Sequence, residues 1–244
     1  MAVSLDFLYT TVYLQSNARQ KVSYAYTSVP KKIDVVILGS SRADNHFVSE
    51  MFIAKGLKAF NFGMQGSRLF ESDLVLKLLL EKKIVIKNVI VEVDLNIRSD
   101  LNKYSTSNIL WFMPYLYDSE SIQNHFKDLP GYKCEYYIPF YRYVKYESKI
   151  GFREMFFTAL NKKSNVVDQG GFYPLMGSGE KLKSNLSSWY PSRNIYYEEI
   201  KELCKQNHIN LVAIMTPMCE NSKGINYFEK VKKCIQKFII VKVL

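Results

Sequence analysis

The sequence predicts an α/β protein: a three-layer α/β/α arrangement with a parallel five-stranded sheet and a helical, aromatic-rich insertion. Three observations predict it. Short apolar runs rich in β-branched residues alternate with helical patterns over residues 33–97. Each run is continuous rather than alternating, as expected for strands covered on both faces. The alternation stops after Ile97 and resumes at Ser192, bracketing a stretch of different composition.

Residues 1–32 form an extension before the first strand. That strand is Ile33–Leu38 (IDVVIL), which runs into Gly39-Ser40-Ser41 and a helix over about Ala43–Ala54. A second strand, Lys58–Asn61, leads through Phe62–Gly66 into a helix over Ser67–Lys82. Its leucines 69, 74, 76, 78 and 80 crowd one broad face, and Ser67 with Glu71 or Ser72 suits its start. A third strand, Asn88–Val93, ends in Asp94-Leu95-Asn96. The insertion, about 101–188, is helical in parts. Between Gly131 and Asn165 it holds ten Tyr or Phe, with seven Lys or Arg against three Glu. The core then resumes with a helix over Ser192–Asn207, Ser192 as its N-cap, and a strand over Ile209–Met215. A loop, Thr216–Asn221, leads to an amphipathic helix over Ser222–Lys237 with Ile225, Phe228, Val231, Cys234 and Ile235 inward. The last strand is Phe238–Val243. Residues 33–244 are thus read as a single domain.

The chain has 244 residues, enough for one α/β domain with an insertion. Hydrophobic residues at 48% and charged residues at 23% exclude disorder and low-complexity scaffolds. A net charge of +10, with 18 Tyr and 15 Phe, suits nucleic acid, anionic glycan or a membrane surface without choosing among them. No stretch reaches the roughly 18–20 apolar residues of a membrane span. The start, MAVSLDFLYTTVYLQ, lacks a basic n-region and is interrupted by Asp6, so it does not read as a signal peptide. Either the protein is cytoplasmic, or an anchor upstream has been lost. Cys134, Cys204, Cys219 and Cys234 form no C-x-x-C pair and have no His at zinc-finger spacing, which points to four free thiols and no metal.

Right-handed crossovers bring the carboxyl ends of parallel strands to one edge, where ligands bind in open α/β sheets. Gly39-Ser40-Ser41, Asn61-Phe62-Gly63-Met64-Gln65-Gly66 and Glu92-Val93-Asp94-Leu95-Asn96 all fall there. Alone, the first is also the pattern of a tight turn with a capping serine. In this order and spacing, the three together resemble the SGNH/GDSL hydrolase superfamily, across roughly residues 33–97 and 192–243. The resemblance implies a flavodoxin-like fold. Ser41 falls on the nucleophile, with Ser40 in place of the family's Asp. Asn61, Gly63 and Gly66 match N-x-G-x-x-G, with Gly66 as an oxyanion donor. Asn96 falls on the oxyanion Asn, with Asp94 in place of Gly. The implied activity is a serine esterase or O-acyl transfer acting on an acylated carbohydrate or cell-surface polysaccharide, with no cofactor. Its relatives are often membrane-anchored and face the periplasm.

The family takes its base from D-x-x-H just after the last core strand, where this sequence reaches Leu244. Of its three histidines, His208 precedes a strand and belongs at the opposite edge. His125 lies in the insertion, and His46 is turned about 140° from Ser41 on the helix. Full catalytic power is therefore not expected. A binding or assembly protein on the same fold is the alternative.

Arg42 and Arg68 flank the expected pocket and suit a substrate carboxylate or sulfate. Asp94 suits the same rim, or a turn in which it accepts backbone N–H bonds. Most rings of the insertion should bury it against the core, leaving Tyr136, Tyr137, Tyr141 or Tyr143 for a glycan cleft. The run YRYVKY (Tyr141–Tyr146) interleaves basic and aromatic residues, as single-strand binders do. Without an RNP-like motif, no specific nucleic acid is expected. Nor do the glycine turns match a P-loop or a dinucleotide fingerprint.

Overall fold

The computed structural model describes residues 1–15, 18–175, 185–217 and 223–235. In chain order, helices α1 (Ala2–Gln15) and α2 (Lys21–Thr27) precede β1 (Lys32–Leu38). Helices α3 (Ser41–His46) and α4 (Ser49–Ile53), β2 (Ala59–Asn61), α5 (Leu69–Glu81) and β3 (Val85–Glu92) follow. The insertion contains a 3₁₀ segment, Ile109–Tyr115, and six short helices. These are α6 (Glu120–Phe126), α7 (Tyr132–Tyr137), α8 (Tyr141–Lys145), α9 (Glu147–Ile150), α10 (Phe152–Ala159) and α11 (Asn165–Asp168). Helix α12 (Ile195–Gln206), β4 (Asn210–Ile214) and α13 (Tyr227–Cys234) complete the described fold.

The sheet is parallel throughout, in the order β2-β1-β3-β4. It has four strands among the described residues where five were expected. The fifth, Phe238–Val243, lies outside them. Alternation along β1 assigns its two faces. Val36 and Leu38 join the main core with Val89, Val91 and the leucines of α5. Val35 and Ile37 join Ala43, Ala59, Phe47 and Phe52 under α3 and α4. Both faces are covered, which explains why the strands read as unbroken apolar runs.

Three expectations are corrected. The helix over Ala43–Ala54 is two helices, broken at Phe47 and Val48. The Asn61 carboxamide donates to the carbonyls of Ala43 and Phe47 (2.8 and 2.9 Å), ending the first helix from another strand. Helix α12 is capped by Asn194, whose Oδ1 accepts the Tyr196 and Tyr197 N–H groups, because Ser192 Oγ is engaged with Ser99. Of the residues expected inward around α13, Val231 and Ile235 are buried and Phe228 packs half-buried against the core, joined by buried Tyr227, while Ile225 and Cys234 are exposed. Cys134, Cys204 and Cys234 are free thiols, and Cys219 lies outside the described residues.

The extension is not a tail. Tyr9 meets Phe140 edge-on with ring centroids 4.9 Å apart, and Tyr13 stacks on Tyr143. The Tyr13 hydroxyl donates to the Ile150 carbonyl at 2.9 Å. Between these rings Asp6 takes the Phe140 N–H (2.6 Å) and Arg142 Nη2 (2.9 Å). Arg142 is fully buried, its guanidinium over the Tyr117 ring at 3.9 Å. Helix α1 and the insertion thus form an annex whose aromatic rings continue the main core. The insertion returns over the carboxyl end of β2, where the Gly170 carbonyl accepts the Asn61 N–H at 2.9 Å.

Candidate functional site

Three adjacent strand ends are fastened to one another. At the end of β1, Gly39 has φ +147°, and a Cβ there would lie 2.7 Å from that of Glu92, so this exit requires glycine. Ser40 caps α3 through its hydroxyl, which accepts the Arg42 N–H at 3.3 Å. The Ser40 N–H (2.9 Å) and hydroxyl (2.6 Å) both donate to Glu92 Oε2. Glu92, the last residue of β3, is fully buried, and among the described residues its Oε1 has no hydrogen-bond partner. Burial pushes its carboxyl up to about 7, helped by the neighbouring Asp94 charge and opposed by the two Ser40 bonds.

The end of β2 is tied to the same turn. Met64 N–H donates to the Gly39 carbonyl at 3.1 Å, and Asn61 Oδ1 accepts the Gly63 N–H at 2.9 Å. From the extension, buried Lys21 reaches in to bind buried Asp44 at 2.6 Å and the Gly63 carbonyl. Burial lowers the Lys21 amine and raises the Asp44 carboxyl, and their pairing opposes both shifts.

Asp94, just past β3, is likewise fully engaged. It accepts the Thr216 N–H (2.8 Å), the Thr216 hydroxyl (2.5 Å) and Arg42 Nε. Arg42 Nη2 continues to the carbonyls of Thr216 and Pro217 at 2.8 and 2.9 Å. Arg42 and Asp94 therefore lash the loops after β1, β3 and β4 together. Arg68 directs Nη1 to the Tyr104 carbonyl at 3.2 Å.

Ser41, Gly66 and Asn96 stand on three neighbouring loops of this edge, with no hydrogen bond joining them. Ser41 is the first residue of α3 and half-buried, and among the described residues its hydroxyl has no hydrogen-bond partner. Gly66 is exposed at φ +75°, and a Cβ on it would lie 3.0 Å from Ser107 Oγ. Beside it, Asn108 Nδ2 donates to the Gln65 carbonyl at 2.9 Å, bringing the insertion over this loop. Asn96 is half-buried. Its carbonyl accepts from Asn194 Nδ2, while its carboxamide has no hydrogen-bond partner among the described residues. Five cavities formed by described residues lie elsewhere, none lined by these three.

The histidines are occupied away from Ser41. His46 Nδ1 is 2.7 Å from the Arg42 carbonyl, and His208 precedes β4 at the opposite edge. His125 meets the Phe70 carbonyl at 3.2 Å, and burial lowers it to about 4. Of the tyrosines considered for a glycan cleft, Tyr143 is fully buried and Tyr136 half-buried, while Tyr137 and Tyr141 are exposed. Among the described residues no group of three or more His, Cys, Asp or Glu is placed to hold a metal ion. The reading of the sequence missed Glu92, Thr216 and Lys21. Glu92 carried a signal, as a carboxylate within an otherwise apolar strand end.

No family model, curated protein or solved structure matches the chain. The likeness to SGNH/GDSL hydrolases rests on the strand-end residues alone.

Proposed function

We propose that this edge is an acyl-ester site on a flavodoxin-like α/β/α frame. The protein is then an SGNH-like serine esterase or O-acyl transfer protein for an acylated carbohydrate or cell-surface polysaccharide. Ser41 is the nucleophile, and the Ser41 and Gly66 N–H groups with the Asn96 carboxamide receive the oxyanion. The observation that supports this is selective commitment. Ser40, Asn61, Arg42, Glu92 and Asp94 are all bound to neighbouring loops, whereas Ser41 and Asn96 keep their side-chain donors uncommitted among the described residues. Attack of Ser41 Oγ on the ester carbonyl gives an acyl-serine and releases the alcohol. Water or a second hydroxyl then takes the acyl group. Among the described residues no histidine is hydrogen-bonded to Ser41, so removal of its proton is the weak step and turnover is slow.

Hydrolysis of p-nitrophenyl acetate, with mass spectrometry of the Ser41 peptide, tests this. A slow release of nitrophenol that Ser41→Ala abolishes, an acetylated Ser41 peptide, and a loss of about 10²–10³ in rate for Asn96→Ala are expected. A rate equal to that of Ser41→Ala with no adduct overturns the enzyme reading. The placement of the histidines then favours the second reading, binding of an acylated glycan without turnover, which calorimetry with an acetylated polysaccharide would detect.

A further inference from the structure

The annex turns an apolar surface outward. Helix α1 carries a single charged side chain, Asp6, and it points inward to Arg142. Its outer side presents Val3 (67% exposed), Phe7 (72%) and Leu8 (50%). Packed along the same annex, α10 exposes Phe152 (59%), Phe156 and, just past its end, Leu160. Scattered exposed apolar residues are ordinary, but a helix that exposes Val3, Phe7 and Leu8 while its one charge is buried is suited to a dry partner.

The charges beside this surface choose the partner. Lys149, Arg153, Lys162 and Lys163 are exposed, and none is paired with a carboxylate among the described residues. Arg153 and Lys162 lie over the Phe157 ring of α10, 5.4 and 4.3 Å from its centroid. The acidic residues of the same segment are mostly consumed: Glu135 by Lys145 and Glu154 by Arg19. Exposed Glu147 accepts the Phe152 N–H. A second copy of the chain would bring two cationic rims together, and a nucleic acid could stack on the phenylalanines but would leave Val3, Leu8 and Leu160 without an apolar partner. Among the described residues no helix is long and apolar enough to cross a membrane, so contact lies in the plane of the interface.

We propose that the outer face of α1 and α10 docks on an anionic lipid bilayer, with Phe7, Phe152 and Phe156 entering the acyl boundary and the cations at the headgroups. This is independent of the ester chemistry. Co-sedimentation of the full chain with vesicles of phosphatidylcholine, alone or mixed with phosphatidylglycerol, tests it. Binding to the anionic vesicles is expected, falling at high salt and on neutral vesicles. Phe7→Ser and Phe152→Ser should each weaken it about tenfold, and Lys162→Ala about fivefold. All three positions are exposed, and unchanged thermal melting would show that these variants fold. Equal binding to both vesicle types overturns the proposal, as does no binding to either. A concentration-dependent dimer abolished by Phe7→Ser also overturns it and gives the face to a second copy.

Discussion

The sheet edge and the annex are both buried and both polar at their centres, yet they solve burial differently. At the edge, polar atoms are shared among several loops: Asp94 alone serves Arg42 and Thr216, and Glu92 takes two bonds from Ser40. In the annex one ion pair, Asp6–Arg142, is embedded in aromatic rings with the Phe140 N–H and the Thr10 hydroxyl beside it, and among the described residues Arg142 Nε and Nη1 have no hydrogen-bond partner. A distributed network loses little when one bond goes. A buried charge with a single counter-ion is left uncompensated when that partner is removed.

Arg142→Ala is therefore expected to have the largest effect on stability, about 3–5 kcal/mol, because it leaves the Asp6 carboxylate buried and unpaired. Urea unfolding measures it. Replacing both partners, as Asp6→Leu with Arg142→Leu, should recover most of the loss. If the double variant is as unstable as the single one, the annex does not hang on this pair and the contrast with the edge fails.

The next prediction probes the edge by pH. Glu92 is raised to about 7, as is Glu71, and Asp73 to about 8, each mainly by burial. In the unfolded chain such carboxyls titrate near 4. Between about pH 4.5 and 7 the folded state therefore holds more protons than the unfolded one. Stability falls as pH rises through that window, by up to about 1.4 kcal/mol per pH unit for each group. His125, lowered to about 4, acts in the opposite sense between its folded and unfolded values. The difference between wild type and Glu92→Gln isolates the edge carboxyl: the variant should show the shallower fall. Parallel profiles would mean that Glu92 is ionised without penalty, and the account of its burial would be wrong.

The same contrast explains what was legible in the sequence. Strands β1 and β3 declare themselves because both faces are covered, so a plain apolar run suffices. The loops were placed correctly at one edge because parallel topology leaves little choice. The break after His46 was not legible, because the group that enforces it, Asn61, belongs to another strand. Helix α1 was not legible for a related reason. Its apolar residues are spread around the helix rather than gathered on one face, so no 3.6-residue contrast marks it, and the arginine that neutralises its one charge is 136 residues away. Ser41 and Asn96 were legible as a pattern. Glu92 and Lys21, which hold that pattern in place, were not, because their partners are set by packing rather than by spacing.

The smallest expected effect lies where the two regions touch. Gly66 belongs to the edge, but its neighbours Ser105, Ser107 and Asn108 belong to the insertion. Gly66→Ala must hold an L residue at φ +75° with its Cβ 3.0 Å from Ser107 Oγ. Gly56 provides the control, since it has φ +78° and open space around its missing Cβ. Gly56→Ala should therefore cost only the left-handed backbone strain, about 1 kcal/mol. Gly66→Ala should cost more by the displacement of Ser107, and Ser107→Gly should remove that excess. If the two alanine variants are equally stable, the insertion yields freely and does not brace the Gly66 amide. If Gly66→Ala is the worse and Ser107→Gly restores it, the annex side of the molecule sets the position of an edge donor, and the two regions are mechanically one.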